Sequence, residues 1–254
     1  MLKLTNKNYY SPEANKDYFS ASQVKSFLEC EAKALAEVRG EYQRPNNNAL
    51  LIGSYVDRSF EGTIGAFREE HPEIYKKDGT LKADFDKAAD MIARAAEDPV
   101  FMEYCKGSTQ KIYTGNIAGV PFKAKFDFII PGERIVDLKT VKDMKPMYKE
   151  GYGKVSPIEY WNWHLQMAIY QELEGNHLPC YLAIITKESP SGLHLVQIDQ
   201  SVMDTELELL KEKLPRFEAI KQGIVEPARC EDCDYCRQSK KITGPELFTY
   251  MEEE

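Results

Sequence analysis

The sequence predicts an α/β fold with a central mixed sheet flanked by helices, and three observations lead there. Apolar residues recur at helical spacing through roughly residues 1–108. The period then changes to alternation across QKIYTGNIAGVPFKAKFDFIIPGERIVDLKTV, with turn signals at Ala118-Gly119 and Pro131-Gly132. After that, a helix pattern, two further strand patterns and another helix follow, the succession expected when helices cover a sheet.

Taken in order, the first helix is expected from about Ala21 to Val38. Ser20 and Gln23 fit a capping box, Val24, Phe27, Leu28 and Leu35 form the apolar stripe, and Gly40 closes the helix. The stretch GEYQRPNNN reads as a loop. A second helix runs from Ala49 to about Glu61, with Gly53, Asp57 and Glu61 on one face because they are four apart. KADFDKAADMIARAAEDPVFMEYCKG reads as two helices broken near Pro99. Three antiparallel strands follow, then a helix from about Pro157 to Glu174. The strands CYLAIITKE and GLHLVQID come next, and a helix from about Val202 to Gln222 leads into a cysteine-bearing segment. A chain of 254 residues, 43% hydrophobic, is read as one domain over 1–254. Its parts are a helical N-terminal part (about 1–108), a sheet-and-helix part (about 109–222) and a cysteine tail (about 223–254).

Composition narrows the function. No segment is long and apolar enough for a membrane span, and the polar start has no apolar export core, so a cytoplasmic protein without membrane partners is expected. The formal charge of −8 argues mildly against a general nucleic-acid binder. Net charge is not local charge, however. Acidic residues crowd the end (Glu252, Glu253, Glu254), whereas Lys123, Lys125, Lys139, Lys142, Lys145, Lys149 and Lys154 crowd the middle, so a basic face remains open.

The chemistry-bearing pattern lies in the meander. Asp127 is in KAKFDFII, and Asp137 and Lys139 are in the next strand, IVDLK. Strand residues two apart share a face, and the turn at Pro131-Gly132 brings Asp127 beside Asp137. Two carboxylates, the Leu138 carbonyl and an ammonium suit Mg²⁺ or Mn²⁺, hard ions that prefer oxygen. Such an ion polarises a phosphoryl oxygen and acidifies water, and Lys139 would orient that water and balance developing charge. An Asp-x-Lys pair alone is also a common solvated surface pair. Here it sits among Ile135, Val136 and Leu138, with a second Asp on the preceding strand.

With these residues in view, Asp127…Asp137-Leu138-Lys139 resembles the core of the PD-(D/E)xK nucleases, and Gln166…Tyr170 resembles the Q-x-x-x-Y motif of their RecB-type branch. Gly53…Asp57 resembles that branch's Gly and metal-binding His, with Asp in place of His; Glu61, one turn on, is a supporting or alternative ligand. More narrowly, FSASQVKSFLECEAKALAE, ALLIGSYVDRSFEG, IVDLKTVKD, HLQMAIYQE and CEDCDYCRQSKK resemble phage and prophage exodeoxyribonuclease VIII-like nucleases nearly end to end. The resemblance implies a restriction-endonuclease-like core encoded by a phage or prophage. It implies Asp127, Asp137, Lys139 and Gln166 as catalytic residues, with Asp57, Asp127, Asp137 and the Leu138 carbonyl as metal ligands. It implies exonucleolytic digestion of double-stranded DNA from ends in recombination or repair, handing a single strand to an annealing recombinase. A homo-oligomeric ring around DNA is expected by the same analogy. Tyr170 is expected at DNA or in the supporting layer, and Lys142, Lys145 and Lys149 at DNA.

Three of the six cysteines fall in Cys230-x-x-Cys233-x-x-Cys236, a spacing that suits one metal centre. A closed site needs a fourth ligand, and Cys30 is the natural one. The same branch implies a 4Fe–4S cluster clamping the tail to the N-terminal helix; zinc and free reduced thiols are the alternatives. Cys105 and Cys180 read as buried apolar groups. Trp161 and Trp163 read as core, His164 as structural, and Ser22 and Lys25 as cap and surface residues or as phosphate contacts. Two other functions stay open: a DNA-end or recombination-partner binding module that does not cut, and an endonuclease on the same core.

Overall fold

The structure is a computed structural model and describes residues 1–45, 48–242 and 244–245. Before the sheet come α1 (Pro12–Asp17), α2 (Ala21–Glu29), α3 (Glu31–Arg39), α4 (Asn48–Phe60), α5 (Ile64–Glu70), a short 3-10 turn (Pro72–Ile74), α6 (Ala83–Ala96) and α7 (Pro99–Tyr104). The meander is β1 (Ser108–Ile117), β2 (Val120–Ile130) and β3 (Arg134–Val141). A small hairpin, β4 (Met147–Lys149) and β5 (Gly153–Val155), precedes α8 (Pro157–Tyr160) and α9 (Trp163–Glu174). Then come β6 (Cys180–Thr186), β7 (Leu193–Gln197), α10 (Gln200–Lys221) and α11 (Asp234–Ser239).

The main sheet has the order β1-β2-β3-β6-β7, with β3 and β6 parallel and the other neighbours antiparallel. It is therefore the mixed sheet expected from the sequence. The parallel pair needs a crossover, which the β4–β5 hairpin, α8 and α9 supply. Every residue of β6 except Tyr181 is buried, as a central strand covered on both faces requires. One core joins that sheet to α2, α3, α9 and α10 through Phe27, Leu35, Phe126, Ile184, Leu214 and Phe217. The other joins the opposite face to α4, α5, α6 and α7 through Tyr55, Phe67, Phe85, Phe101 and Ile185. No helix among the described residues is long and apolar enough to cross a membrane.

The predicted Ala21–Val38 helix is two helices. Cys30 is extended (φ −163°, ψ 112°) and ends α2 while opening α3. The break follows from a distant contact: Ala32 donates its N–H to the Ala228 carbonyl, so the tail satisfies a donor that helix continuation would consume. Ser20 caps α2 by accepting from Gln23 N, worth about 1 kcal/mol. The reciprocal half of the expected capping box is missing because Gln23 Nε2 donates to the Asn15 carbonyl instead. Gly40 closes α3 in the left-handed region (φ 76°).

The predicted Pro157–Glu174 helix is also broken, at Asn162 (φ 50°, ψ 43°). The Glu61 side of the α4 reading and the break before Pro99 match the sequence, Asp98 capping α7 through Val100 and Phe101 N–H groups. The acidic end at Glu252, Glu253 and Glu254 lies outside the described residues, as do two asparagines of the GEYQRPNNN loop.

Candidate active site

The centre forms where β2 and β3 part. Their register runs from Ile130↔Arg134 to Phe128↔Val136 and stops there. One step on, Asp127 and Asp137 face each other, and Asp127 Oδ2 accepts the Leu138 N–H at 3.0 Å. A side chain thus replaces the next ladder bond. The cause is visible in β2, where alternation slips at Asp127: Phe122, Ala124 and Phe126 belong to one core, Phe128 to the other, and Ile129 again to the first. Opposite on β1, Gln110 has φ 54° and interrupts the pairing between Thr109↔Phe128 and Lys111↔Phe126. Such slips re-aim a side chain, and this one turns Asp127 toward Asp137.

Asp137 is 1% exposed. Its Oδ1 accepts from Gln166 Nε2 at 2.8 Å, and its Oδ2 is in ion contact with Lys139 Nζ. That Oδ2 has no hydrogen bond of good geometry, which leaves a buried carboxylate oxygen with spare coordinating capacity. Gln166 reaches the site from α9, four residues before Tyr170, and its Nε2 also lies 3.0 Å from Tyr170 Oη. Tyr170 is buried against Phe126 (ring centroids 4.8 Å apart), and its hydroxyl donates to the Lys125 carbonyl. Of the two places left open for Tyr170, its contacts are those of the layer that supports Gln166. Burial leaves it no free face.

Asp57 approaches from α4. That helix lies close to β3 at Gly53, where an added Cβ would sit 3.9 Å from Thr140 Oγ1, an ordinary contact that a small side chain would tolerate. Burial, then repulsion from Asp137 and Glu61, pushes the Asp57 carboxyl up to about 7 despite the opposing pull of Lys139. Asp127 is likewise pushed well above its ordinary range, by burial and then by Asp137 and Asp57. Burial alone would lower the Lys139 pKa, but Asp137 and Asp127 together raise it. Three carboxylates thus surround one fully committed ammonium, an excess of negative charge that a divalent cation would relieve.

Glu61, one turn beyond Asp57, accepts from Thr63 Oγ1 at 3.4 Å and lies 3.8 Å from Arg58 Nη1, while its charge still reaches Asp57. Lys25 is the residue the sequence undervalued. From α2 its Nζ donates to Gln166 Oε1 at 2.8 Å, and burial, then Lys139, lower its pKa to about 7. Its place as the fifth residue of α2 gave no hint of this, because the contact spans 141 residues of chain.

The lysine-rich stretch after β3 divides. Lys142 and Lys145 are exposed. Lys149 instead donates to Asn162 Oδ1 (3.1 Å) and the Glu159 carbonyl (3.3 Å), so it pins the α8–α9 break. Lys123 is buried and donates to the Tyr9 carbonyl and Asn15 Oδ1, so it adds nothing to an outer basic face. Tyr148 and Tyr152, on and beside the hairpin, are 73% and 75% exposed.

A second centre lies at the tail. The sulfur atoms of Cys30, Cys230, Cys233 and Cys236 all lie within 4.8 Å of one another. Cys233 N and Cys236 N donate to Cys230 Sγ (3.3 Å) and Cys233 Sγ (3.5 Å), bonds that favour thiolate. Burial opposes ionisation of Cys230, yet bonds from the Cys233 and Asp232 backbone and from neighbouring thiols outweigh it and bring the pKa down to about 6. Around the cluster, Arg216 makes a two-pronged contact with Glu31 (2.6 and 2.7 Å), and Glu31 Oε2 also accepts from Ala228 N. Cys105 and Cys180 are buried away from it, as expected. His164 pairs with Glu206, and Trp163 is core, but Trp161 is 47% exposed, contrary to the sequence reading.

A mixed sheet that splays to present two aspartates and a lysine, with a glutamine from the crossover helix, defines a nuclease fold of the PD-(D/E)xK type. A model of the PDDEXK-like domain of unknown function (DUF3799) matches residues 20–239, and the chain belongs to that family. A crystal structure from Eubacterium rectale, described as a "putative exonuclease", superposes with a TM-score of 0.93 at 36% identity, covering 97% of each chain. A comparison with the curated proteins returns no match.

Proposed function

We propose that this chain is a Mg²⁺- or Mn²⁺-dependent deoxyribonuclease that digests double-stranded DNA from its ends. The observation that carries the reading is the buried, incompletely bonded Asp137 Oδ2 beside Lys139, with two further carboxylates whose pKa values are raised by burial and by the charge of neighbouring carboxylates. Asp57, Asp127, Asp137 and the Leu138 carbonyl would hold the ion. The carbonyl is oriented for this, because a strand residue's N–H and C=O leave by the same edge and Leu138 N–H already points at Asp127. Bound there, a divalent cation supplies Lewis acidity toward a phosphoryl oxygen and toward water.

The chain's own groups do the rest. Gln166 fixes the Asp137 carboxylate through Oδ1 and leaves Oδ2 facing the site. Lys139 is held charged by its carboxylate neighbours, so it orients the attacking water and offsets charge developing on the phosphate. Tyr170 holds Gln166, and Lys25 holds its other end. The exposed Lys142 and Lys145 would meet the DNA backbone.

The four cysteines are read as ligands of a 4Fe–4S cluster, with zinc as the alternative. The supporting observation is four convergent sulfurs with backbone N–H groups directed at two of them. Either centre would close a long loop and pin the tail to α3. The whole chain, 1–254, then works as one nuclease domain, and its product strand would pass to an annealing recombinase. The test is digestion of linear against covalently closed circular duplex with Mg²⁺ and with Mn²⁺. Loss of the linear substrate alone is expected. Nicking or linearisation of circles would favour an endonuclease, and no cleavage in protein with an intact cysteine centre would favour a non-cutting DNA-end binder.

A further inference from the structure

A groove of about 470 Å³ opens beside the candidate centre, between the N-terminal segment, α2 and the α8–α9 break. Among its lining residues are Tyr10, Ser22, Lys25, Lys123, Trp161 and Asn162. Lys25 belongs to both places, since it lines the groove and its ammonium bonds Gln166. The groove and the nuclease centre therefore share Lys25 as a common wall.

Its far wall is made by a helix break that local sequence does not require. Ser156 starts α8 with a full capping box, and a helix could run on to Glu174. Instead Asn162 takes the left-handed region, a strained choice for a residue with a Cβ, and Lys149 of the hairpin clamps its side chain and the Glu159 carbonyl. The break turns the Trp161 indole outward while Trp163 stays in the core. Tyr10, 70% exposed, stands on the N-terminal segment with Lys125 Nζ 4.7 Å from its ring centroid.

The charge in the groove favours an anion. Lys25 donates to a neutral oxygen, Gln166 Oε1, and Lys125 lies against the exposed Tyr10 ring, whereas Lys123 is spent on the Tyr9 carbonyl and Asn15 Oδ1 beneath the groove. The acids on the rim are already matched, Glu29 by Lys33 and Glu37 by Arg44. Exposed aromatic faces interleaved with such ammonium groups are what an unpaired DNA strand requires, bases stacking on rings while phosphates meet cations.

We infer that this groove binds an unpaired stretch of the DNA strand flanking the cleaved bond, with a base stacked on Trp161 and a phosphate at Lys25. The placement beside the cleaved bond rests on the nuclease reading; the binding itself does not. The chain has two tryptophans, and Trp163 is buried, so Trp161 is a built-in reporter. The experiment titrates the full-length protein with a short oligothymidylate in buffer without added divalent metal. Intrinsic fluorescence and the anisotropy of a labelled copy of the oligonucleotide are read together.

The wild-type emission is expected to quench. Trp161→Phe is expected to keep the affinity and lose the quench, and Trp161→Ala to bind roughly 5- to 150-fold more weakly, the range for losing one stacked base. Circular dichroism confirms that both variants are folded. Unchanged affinity in Trp161→Ala, or emission indifferent to the oligonucleotide, overturns the inference even if linear DNA is cleaved. Trp161-dependent binding without cleavage in either metal leaves the groove standing and removes the nuclease reading instead.

Discussion

Replacing Asp57 with asparagine removes one of the three carboxyl groups crowded around Lys139 while keeping the side chain's shape. Burial and its acidic neighbours raise the Asp57 carboxyl from 3.8 to about 7, so the folded chain holds this proton more tightly than the unfolded chain does. Stability without metal therefore falls as pH rises through that interval, and the penalty is complete above about 7. At about 1.4 kcal/mol per tenfold change, the interval is equivalent to at most about 4 kcal/mol. Asp57 is half-buried and shares its field with Lys139, so screening reduces the expected gain to about 1–2 kcal/mol. In a chain of this length that is a rise in Tm of roughly 2–8 °C. Metal-free Asp57→Asn is thus expected to melt higher than wild type at pH 8, with the advantage shrinking toward pH 4. The thermal shift given by Mn²⁺, large in the wild type, is expected to be much reduced in the variant. A lower metal-free Tm at pH 8, or an undiminished Mn²⁺ shift, would refute the assignment of Asp57 to a metal-binding carboxylate cluster.

Lys139→Met keeps the length of the side chain and removes its charge. DNA cleavage is expected to fall by about a hundredfold or more, measured as initial rate at saturating Mn²⁺, with the fold retained. Tyr170→Phe deletes the hydroxyl that joins Gln166 to the Lys125 carbonyl; a loss of about 1 kcal/mol in denaturant unfolding is expected, with DNA affinity unchanged because the ring is buried. Cys236→Ser is expected to empty the cysteine centre, read as iron, sulfide and zinc content, and to make the tail sensitive to limited proteolysis near Ala228; retained metal would show that the remaining three thiols suffice.

Much of the sheet and its centre was legible because both follow from local rules. Alternation, two turn signals and the two-residue spacing of Asp137 and Lys139 place these groups on one strand face. The unreadable parts arise from contacts distant in sequence. Cys30 ends a helix because Ala228 takes the next donor. Asn162 breaks a helix because Lys149 holds the break. Lys25 reads as a surface residue until Gln166 arrives from α9, and Lys123 reads as part of a basic face until the N-terminal segment covers it. The short helices α1, α5 and α11 carry too few turns for a periodic signal. Helix spacing puts Tyr170 beside Gln166 but does not say which side is solvent, so the sequence left both DNA and the supporting layer open for it.

Diffraction from crystals soaked in Mn²⁺, collected for anomalous signal, tests the metal centre most directly. A peak bounded by Asp57, Asp127, Asp137 and the Leu138 carbonyl is expected, with Asp137 Oδ2 turned from Lys139 to the ion. A soaked crystal with no peak there, and Asp137 still paired with Lys139, would contradict the assignment.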